Sequence, residues 1–341
     1  MLHCAPIMHC TLLVPDLLPP GLRDAPQVRS RTPRLAALLA RGNTATLPAN
    51  SMESWLCDAF GVSRQNDWPV APLTLSADGG DPSSGFWLRC DPVHLLMRRN
   101  RMHVSDAAGV PSDAESIALV KSLNTHFQSD GLNFHAGAAG RWYLRTQTHT
   151  ALSTHTLFES IDREIDGYMP SGPDSGYWRR IVNEVQMLLH AHPVNAEREA
   201  RGVPAINSIW LWGGGVAPRV KPAPGNRIWA DDPLARALAA QSAMPLAPLP
   251  PGAEAVLAAD GDALVVVTAV RDASRDIAAW LEAVERIEQD WFAPFHSALE
   301  KRRIVLLTLV ITGARQSRHI DITAANLWRW WRRSPAPGAY A

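Results

Sequence analysis

Cysteine is scarce in this chain: four residues in 341, at Cys4, Cys10, Cys57 and Cys90, all in the first third. None is spaced C-x-x-C, which argues against a disulfide framework and against a cysteine zinc site. A reducing, cytoplasmic setting is expected. No apolar run reaches the roughly 18 residues that a membrane helix needs. The start, MLHCAPIMHC, lacks the basic flank and long apolar stretch of a secretion signal. Residues 1–7, ahead of Met8, are expected to be a disordered extension. Neither sign of charge is in excess, with 33 basic residues against 33 acidic. No overall field therefore favours nucleic acid. No internal repeat is evident.

What is abundant is apolar and bulky. An apolar fraction of 46% with 19% charged residues is that of a globular protein. Thirteen tryptophans imply bulky packing or aromatic-lined pockets. At this length the chain is one large domain or two ordinary ones.

Along the chain, Cys10 to Val14 reads as a short buried strand ending at Pro15-Asp16. Thr32-Pro33 opens a helix with Thr32 as N-cap, Leu35, Leu38 and Leu39 on one face, and Gly42 at its end. A loop leads to Ser51, placed to cap a second helix through Trp55, Leu56 and Phe60. From Pro69 to about Asp174 the texture changes to short alternating runs: Phe86 to Cys90, Val93 to Met97 and Trp142 to Thr146. Ser112-x-x-Glu115 is a capping box that opens another helix. Ser175 to Ala191 has the spacing of an amphipathic helix. A polar link with Asn195, Arg198 and Arg201 follows. Then comes an apolar strand, Ile209 to Trp212, running into Gly213-Gly214-Gly215. Such glycines let a backbone approach something closely. Ala263 to Val270 and Arg303 to Thr312 are continuous apolar runs, the pattern of strands buried on both faces. The end, LWRWWRRSPAP, is expected to dock on the core. Buried strands alternating with helices argue for a mainly parallel sheet.

The stretch QMLLHAHPVNAEREARGVPAINSIWLWGGG, Gln186 to Gly215, carries a resemblance. It is similar to the "HPVN…R…NxIWLWGxG" segment of cofactor-independent phosphoglycerate mutases of the shorter archaeal type. The whole-chain layout looks closest to a bacterial offshoot, the RpfE-type regulatory proteins. The resemblance implies an α/β fold: an alkaline-phosphatase-like core with a mainly parallel sheet, plus an inserted α+β cap domain. On that basis the core is 8–70 and 205–333, and the cap is 71–204.

In the resembled family two divalent metals, manganese or magnesium, and a serine move a phosphoryl group. Asp16 matches the first metal-binding aspartate, although the family has Asp-Gly where this chain has Asp16-Leu17. Ser51 matches the nucleophile, in a P-x-x-S context. On residue type alone, Asp16 is equally a turn residue and Ser51 an N-cap. The second half departs from the pattern. The D-x-x-x-H run is replaced by VRDASRDIAAW, with Asp272 and Asp276 but no histidine. The later Asp-His is replaced by Ala314-Arg315, and His319 lies further on. Two hard cations want several ligands each, so the dinuclear centre is read as lost. No cofactor is expected, with a divalent metal only if the family site is retained.

Arg271 and Arg315 sit near the missing ligands, where a guanidinium suits phosphate; the alternative is that both are surface residues. His192, Asn195 and Arg198 match the family segment, either as ligand contacts or as a hydrogen-bonded turn. Two functions follow. One is a mutase-like protein without its chemistry, binding a small phosphorylated metabolite or a protein partner in regulation. The other is an active mutase or related phosphotransferase with Ser51 as nucleophile.

Overall fold

The computed structural model describes residues 8–19, 31–105, 107–138 and 140–332, apart from the side chain of Asp272. The expected extension over residues 1–7 lies outside these. The described strands, in chain order, are β1 (His9–Leu13), β2 (Asn43–Asn50), β3 (Phe86–Arg98), β4 (Arg101–Ser105), β5 (Asn133–Ala136), β6 (Trp142–Thr146), β7 (Ser208–Gly215), β8 (Arg227–Trp229), β9 (Leu246–Ala247), β10 (Ala263–Val266), β11 (Leu306–Ile311) and β12 (Gly313–Ile322). Two compact units result. One holds the residues through Gly61 and those from Val220 onward; the other is Val62–Arg219.

The first unit is built on a seven-stranded sheet in the order β2-β12-β11-β1-β10-β8-β9. The five strands from β11 to β9 run parallel. This is the expected α/β class with a mainly parallel sheet. β10 is buried at every position and β1 at three of its five, because helices cover the sheet and leave no polar face. Trp280 of the helix Ile277–Ile287, with Trp291, Phe292 and Phe295 after it, joins Leu35, Leu38 and Leu39 of the helix Pro33–Arg41 in one core.

Two local expectations fail in this unit. Asn43–Asn50 is not a loop but an edge strand, antiparallel to the ten-residue β12. Both strands are polar, and β2 is exposed along nearly all its length, so neither carries the apolar alternation that marks a strand. The helix Pro33–Arg41 is capped by Glu288 rather than by the Thr32 side chain. Glu288 accepts from the Arg34 and Leu35 amides at 2.5 and 2.9 Å. It reaches them from a π-helical turn, Glu288–Phe292, about 250 residues later.

The second unit is an antiparallel sheet organised on β3. The expected pair of strands, Phe86–Cys90 and Val93–Met97, is this one strand. Its first half pairs with β6, its last five residues with β4, and β7 lies along residues 87–93. Pro92 falls in the interval where neither β6 nor β4 is paired. The helices Asp113–His126 and Ser175–His190 pack on the sheet, with Leu119, Leu123, Trp178, Ile181 and Val185 buried against it. The Ser112–Glu115 capping box forms as expected. β7 belongs here by its pairing with β3, so this unit extends past the expected boundary at 204 to Arg219. The polar link after His192 is a helix, Pro193–Ala200.

The glycines closing β7 serve this packing. Gly213 has φ +65, and a Cβ there would lie 3.0 Å from Val70 Cβ. One on Gly215 would lie 2.5 Å from Pro69 Cβ. What approaches this backbone is the start of the helix Val70–Ala77.

Candidate functional site

In the first unit, β1 runs parallel to β11 and ends at Leu13, and the turn after Val14 places Asp16 beside the end of β11. The Asp16 amide donates to Thr312 O at 2.9 Å. Asp16 itself takes the left-handed conformation, φ 55. That conformation suits the short polar side chain of an aspartate. β2 leads to the same edge of the sheet. Asn50 pairs with Gly313, the residue after Thr312, so Ser51 follows a strand that ends where the parallel strands end. The crevice outside the carboxyl ends of parallel strands is the common ligand position in open α/β sheets.

Ser51 is the N-cap of the helix Met52–Ala59 and forms a capping box with Ser54. Its Oγ accepts from the Ser54 amide at 3.2 Å and lies 2.9 Å from Ser54 Oγ. Ser54 Oγ in turn donates to Asn50 Oδ1. The cap reading of Ser51 is thus satisfied in full, and both of these Oγ partners are on Ser54. The amides of the first turn and the helix dipole face the same end.

Two residues after Ser51, Glu53 turns into the protein. Arg271 Nη2 donates to Glu53 Oε1 at 2.7 Å. Arg271 Nε lies 3.8 Å from Asp16 Oδ2, and its Nη1 is 3.6 Å from Met52 Sδ. Burial opposes the charge of this guanidinium, but Glu53, Asp16 and Asp232 outweigh it and hold Arg271 above its ordinary value. Asp232 caps the helix Pro233–Gln241 by accepting from the Ala235 amide at 2.9 Å. Burial, and then the Glu53 charge, push its carboxyl up, against the pull of that amide and of Arg271. Glu53 Oε2 is buried with no hydrogen-bond partner among the described residues. An unsatisfied buried carboxylate oxygen is costly, on the order of 1–3 kcal/mol or more.

The carboxylates described around Arg271 are three, Asp16, Glu53 and Asp232. A hard cation takes about six oxygen ligands. Asp16 and Glu53 already face a guanidinium. Among the described residues no group of three or more His, Cys, Asp and Glu is arranged to hold a metal ion. Asp272 starts a short 3-10 turn, Asp272–Arg275, but its side chain lies outside the described residues. Arg315 is exposed on β12, where the register with β2 shifts between Gly313 and Gln316. His319 is half-buried on the same strand, and its Nε2 accepts from Trp55 Nε1 at 3.0 Å. Burial keeps that imidazole below its ordinary value.

Asp16, Ser51 and Arg271 are therefore brought to one edge of one sheet. Glu53 and Asp232 were not anticipated. Glu53 reads in sequence as an ordinary first-turn acid and Asp232 as an ordinary cap, because nothing local records that both turn toward Arg271.

The other expected contacts lie in the second unit and form a clasp. His192 caps the helix Pro193–Ala200: its Nδ1 accepts from the Val194 amide at 3.2 Å, and its Nε2 lies 2.9 Å from Ser122 Oγ. Asn195, 2% exposed, donates to Leu189 O and Ile206 O and accepts from the Ile206 amide, each at 2.8 Å. Arg198, also 2% exposed, donates to Pro204 O at 3.0 Å, to Glu115 Oε2 at 2.9 Å and to Ala108 O. Arg201 takes the other Glu115 oxygen at 2.6 Å. These hydrogen bonds tie the helices Asp113–His126 and Ser175–His190 to the segment that leads into β7.

Residues 83–195 match the family model for 2,3-bisphosphoglycerate-independent phosphoglycerate mutase, about a third of the chain. Over 199 residues the chain is 26% identical to the protein of that name from Methanosarcina mazei, covering 56% of this chain and 50% of that one. It is 26% identical over 157 residues to the second such mutase of Methanothermobacter thermautotrophicus, covering 45% and 37%. The chain spans half or less of the length of these relatives. Among solved structures, a Pyrococcus horikoshii protein aligns with a TM-score of 0.53 at 13% identity, over 94% of this chain and 88% of that one; this shows the fold alone. The family-model match lies within the second unit, and Asp16, Ser51, Arg271 and Arg315 fall outside it.

Proposed function

We propose that the chain is a phosphoglycerate-mutase-like protein in which a side chain has replaced the cations of phosphoryl transfer. On this reading Arg271 neutralises Asp16 and Glu53, and the protein binds rather than converts its ligand. The observation that carries the reading is the Arg271 guanidinium set between those carboxylates, 2.7 Å from Glu53 and 3.8 Å from Asp16. The ligand class is a small phosphorylated metabolite, held at the helix start of Ser51, where first-turn amides favour an anion. A protein partner is the alternative ligand, in keeping with the regulatory branch that the layout resembles. Cys10, Cys57 and Cys90 are buried, and a chain so poor in cysteine fits a reducing cytoplasm.

The same placement of Ser51 supports a second reading, an active mutase or related phosphotransferase with Ser51 as nucleophile. A mutase assay with added manganese on wild type and Ser51→Ala separates the two. The expected outcome is no serine-dependent turnover, a metal content near zero, and a thermal shift with phosphorylated three-carbon acids. Turnover that needs both manganese and Ser51 would establish the second reading. No shift with any phosphorylated acid would remove the metabolite from the first.

A further inference from the structure

The aromatic end of the described chain docks on the first unit, as expected, but not by its rings. Trp328, Trp330 and Trp331 are 76%, 76% and 64% exposed. What ties the segment down is arginine. Arg329 Nη1 donates to Arg41 O at 3.3 Å and to Asn43 Oδ1 at 2.7 Å. Arg332 Nη1 donates to Gly42 O at 3.4 Å, and Arg41 Nη1 returns a bond to Leu327 O at 3.0 Å. Every acceptor is a neutral oxygen. Among the described residues none of these three arginines pairs with a carboxylate. Their charge is therefore unanswered beneath three rings that have no packing partner in the core. The stretch from Ile322 to Ala341 contains no acidic residue.

We infer that this patch docks on the headgroup layer of an anionic phospholipid bilayer, as a peripheral contact. No helix among the described residues is long and apolar enough to cross a membrane. Tryptophan favours that layer because its ring is apolar and its indole N–H still finds acceptors there. Unpaired arginines supply attraction to anionic lipid, worth roughly fivefold in affinity for each one near the surface. A protein-binding patch is typically apolar at its centre with a polar rim. Here the exposed rings are interspersed with charge, in the order Trp328, Arg329, Trp330, Trp331, Arg332, and Leu327, the adjoining aliphatic residue, is buried.

The test is co-sedimentation of the full chain with vesicles of equal parts phosphatidylglycerol and phosphatidylcholine, against phosphatidylcholine alone. Binding to the anionic vesicles only, weakened by salt, is expected. Trp328→Ser, Trp330→Ser and Trp331→Ser together are expected to lower it at least tenfold at an unchanged thermal midpoint. Arg332→Gln is expected to lower it roughly fivefold. The inference is overturned if wild type does not sediment with anionic vesicles, or if the triple variant sediments as well as wild type. It is equally overturned if the rings instead drive self-association in sedimentation velocity without lipid.

Discussion

Two buried arginines, one in each unit, invite the same expectation of anion binding and sit in opposite surroundings. Arg198 is held by one carboxylate and two carbonyls, and it shares Glu115 with a second arginine. Two cations there meet one anion, and the hydrogen bonds are complete. Arg271 is one cation among Asp16, Glu53 and Asp232, with a Glu53 oxygen left unbonded. The first arrangement is a structural clasp. The second is an acidic cluster around a guanidinium, so removing that guanidinium changes what the cluster attracts.

The largest expected effect is at the clasp. Arg198→Met strips Glu115, Pro204 O and Ala108 O of buried donors and is expected to cost about 3 kcal/mol in urea unfolding. No divalent cation should restore it. A variant as stable as wild type would mean that the clasp does not hold its helices.

Arg271→Met tests the other side. Asp16, Glu53 and Asp232 then lose the Arg271 counter-charge, and a loss of about 2 kcal/mol is expected. Millimolar manganese should raise the thermal midpoint of this variant and leave wild type unmoved, since anything that binds only the folded state stabilises it. If manganese moves both proteins equally, or neither, the contrast between the two arginines fails.

The smallest effect sharpens the comparison by acting on both units alike. His192 and His319 each use a ring nitrogen as an acceptor, and burial holds both below the ordinary histidine value. With the folded value below the unfolded one, their contribution is fully present above the ordinary value of 6.5. As pH falls below it, the unfolded chain takes the proton first, and stability declines until the folded rings titrate. The thermal midpoint should be flat above about pH 7 and fall toward about pH 5. His319→Gln keeps an acceptor for Trp55 and should flatten part of that slope. A midpoint that rises on acidification would contradict the sign.

Much of this was legible in the residues, for identifiable reasons. The apolar runs at Ala263 and Arg303, the spacing over Ser175–Ala191 and the capping box at Ser112 are local signals, and each appears as an element. Ser51 as a cap was equally local. The β2–β12 pair was not legible, because polar edge strands carry no alternation. The cap of the helix Pro33–Arg41 was not legible either, since its carboxylate arrives from Glu288. The HPVN segment was read as a ligand motif or a turn, and its hydrogen-bond partners Glu115, Ala108 and Ile206 were not legible, because they lie elsewhere in the chain.

Residue order alone settled the α/β class and its buried strands, because periodicity and capping act within a few neighbours along the chain. It also recorded that no histidine stands between Val270 and Trp280 or at Ala314-Arg315, which is a matter of composition. Only folding decided that Arg271 meets Asp16 and Glu53, that Asn195 and Arg198 turn inward, and that the three terminal indoles face solvent. Those outcomes depend on which side chains arrive together across two hundred residues or more in the first unit, and across up to about ninety in the second. Charge and hydrogen bonding act on distance in space, whatever the separation along the backbone.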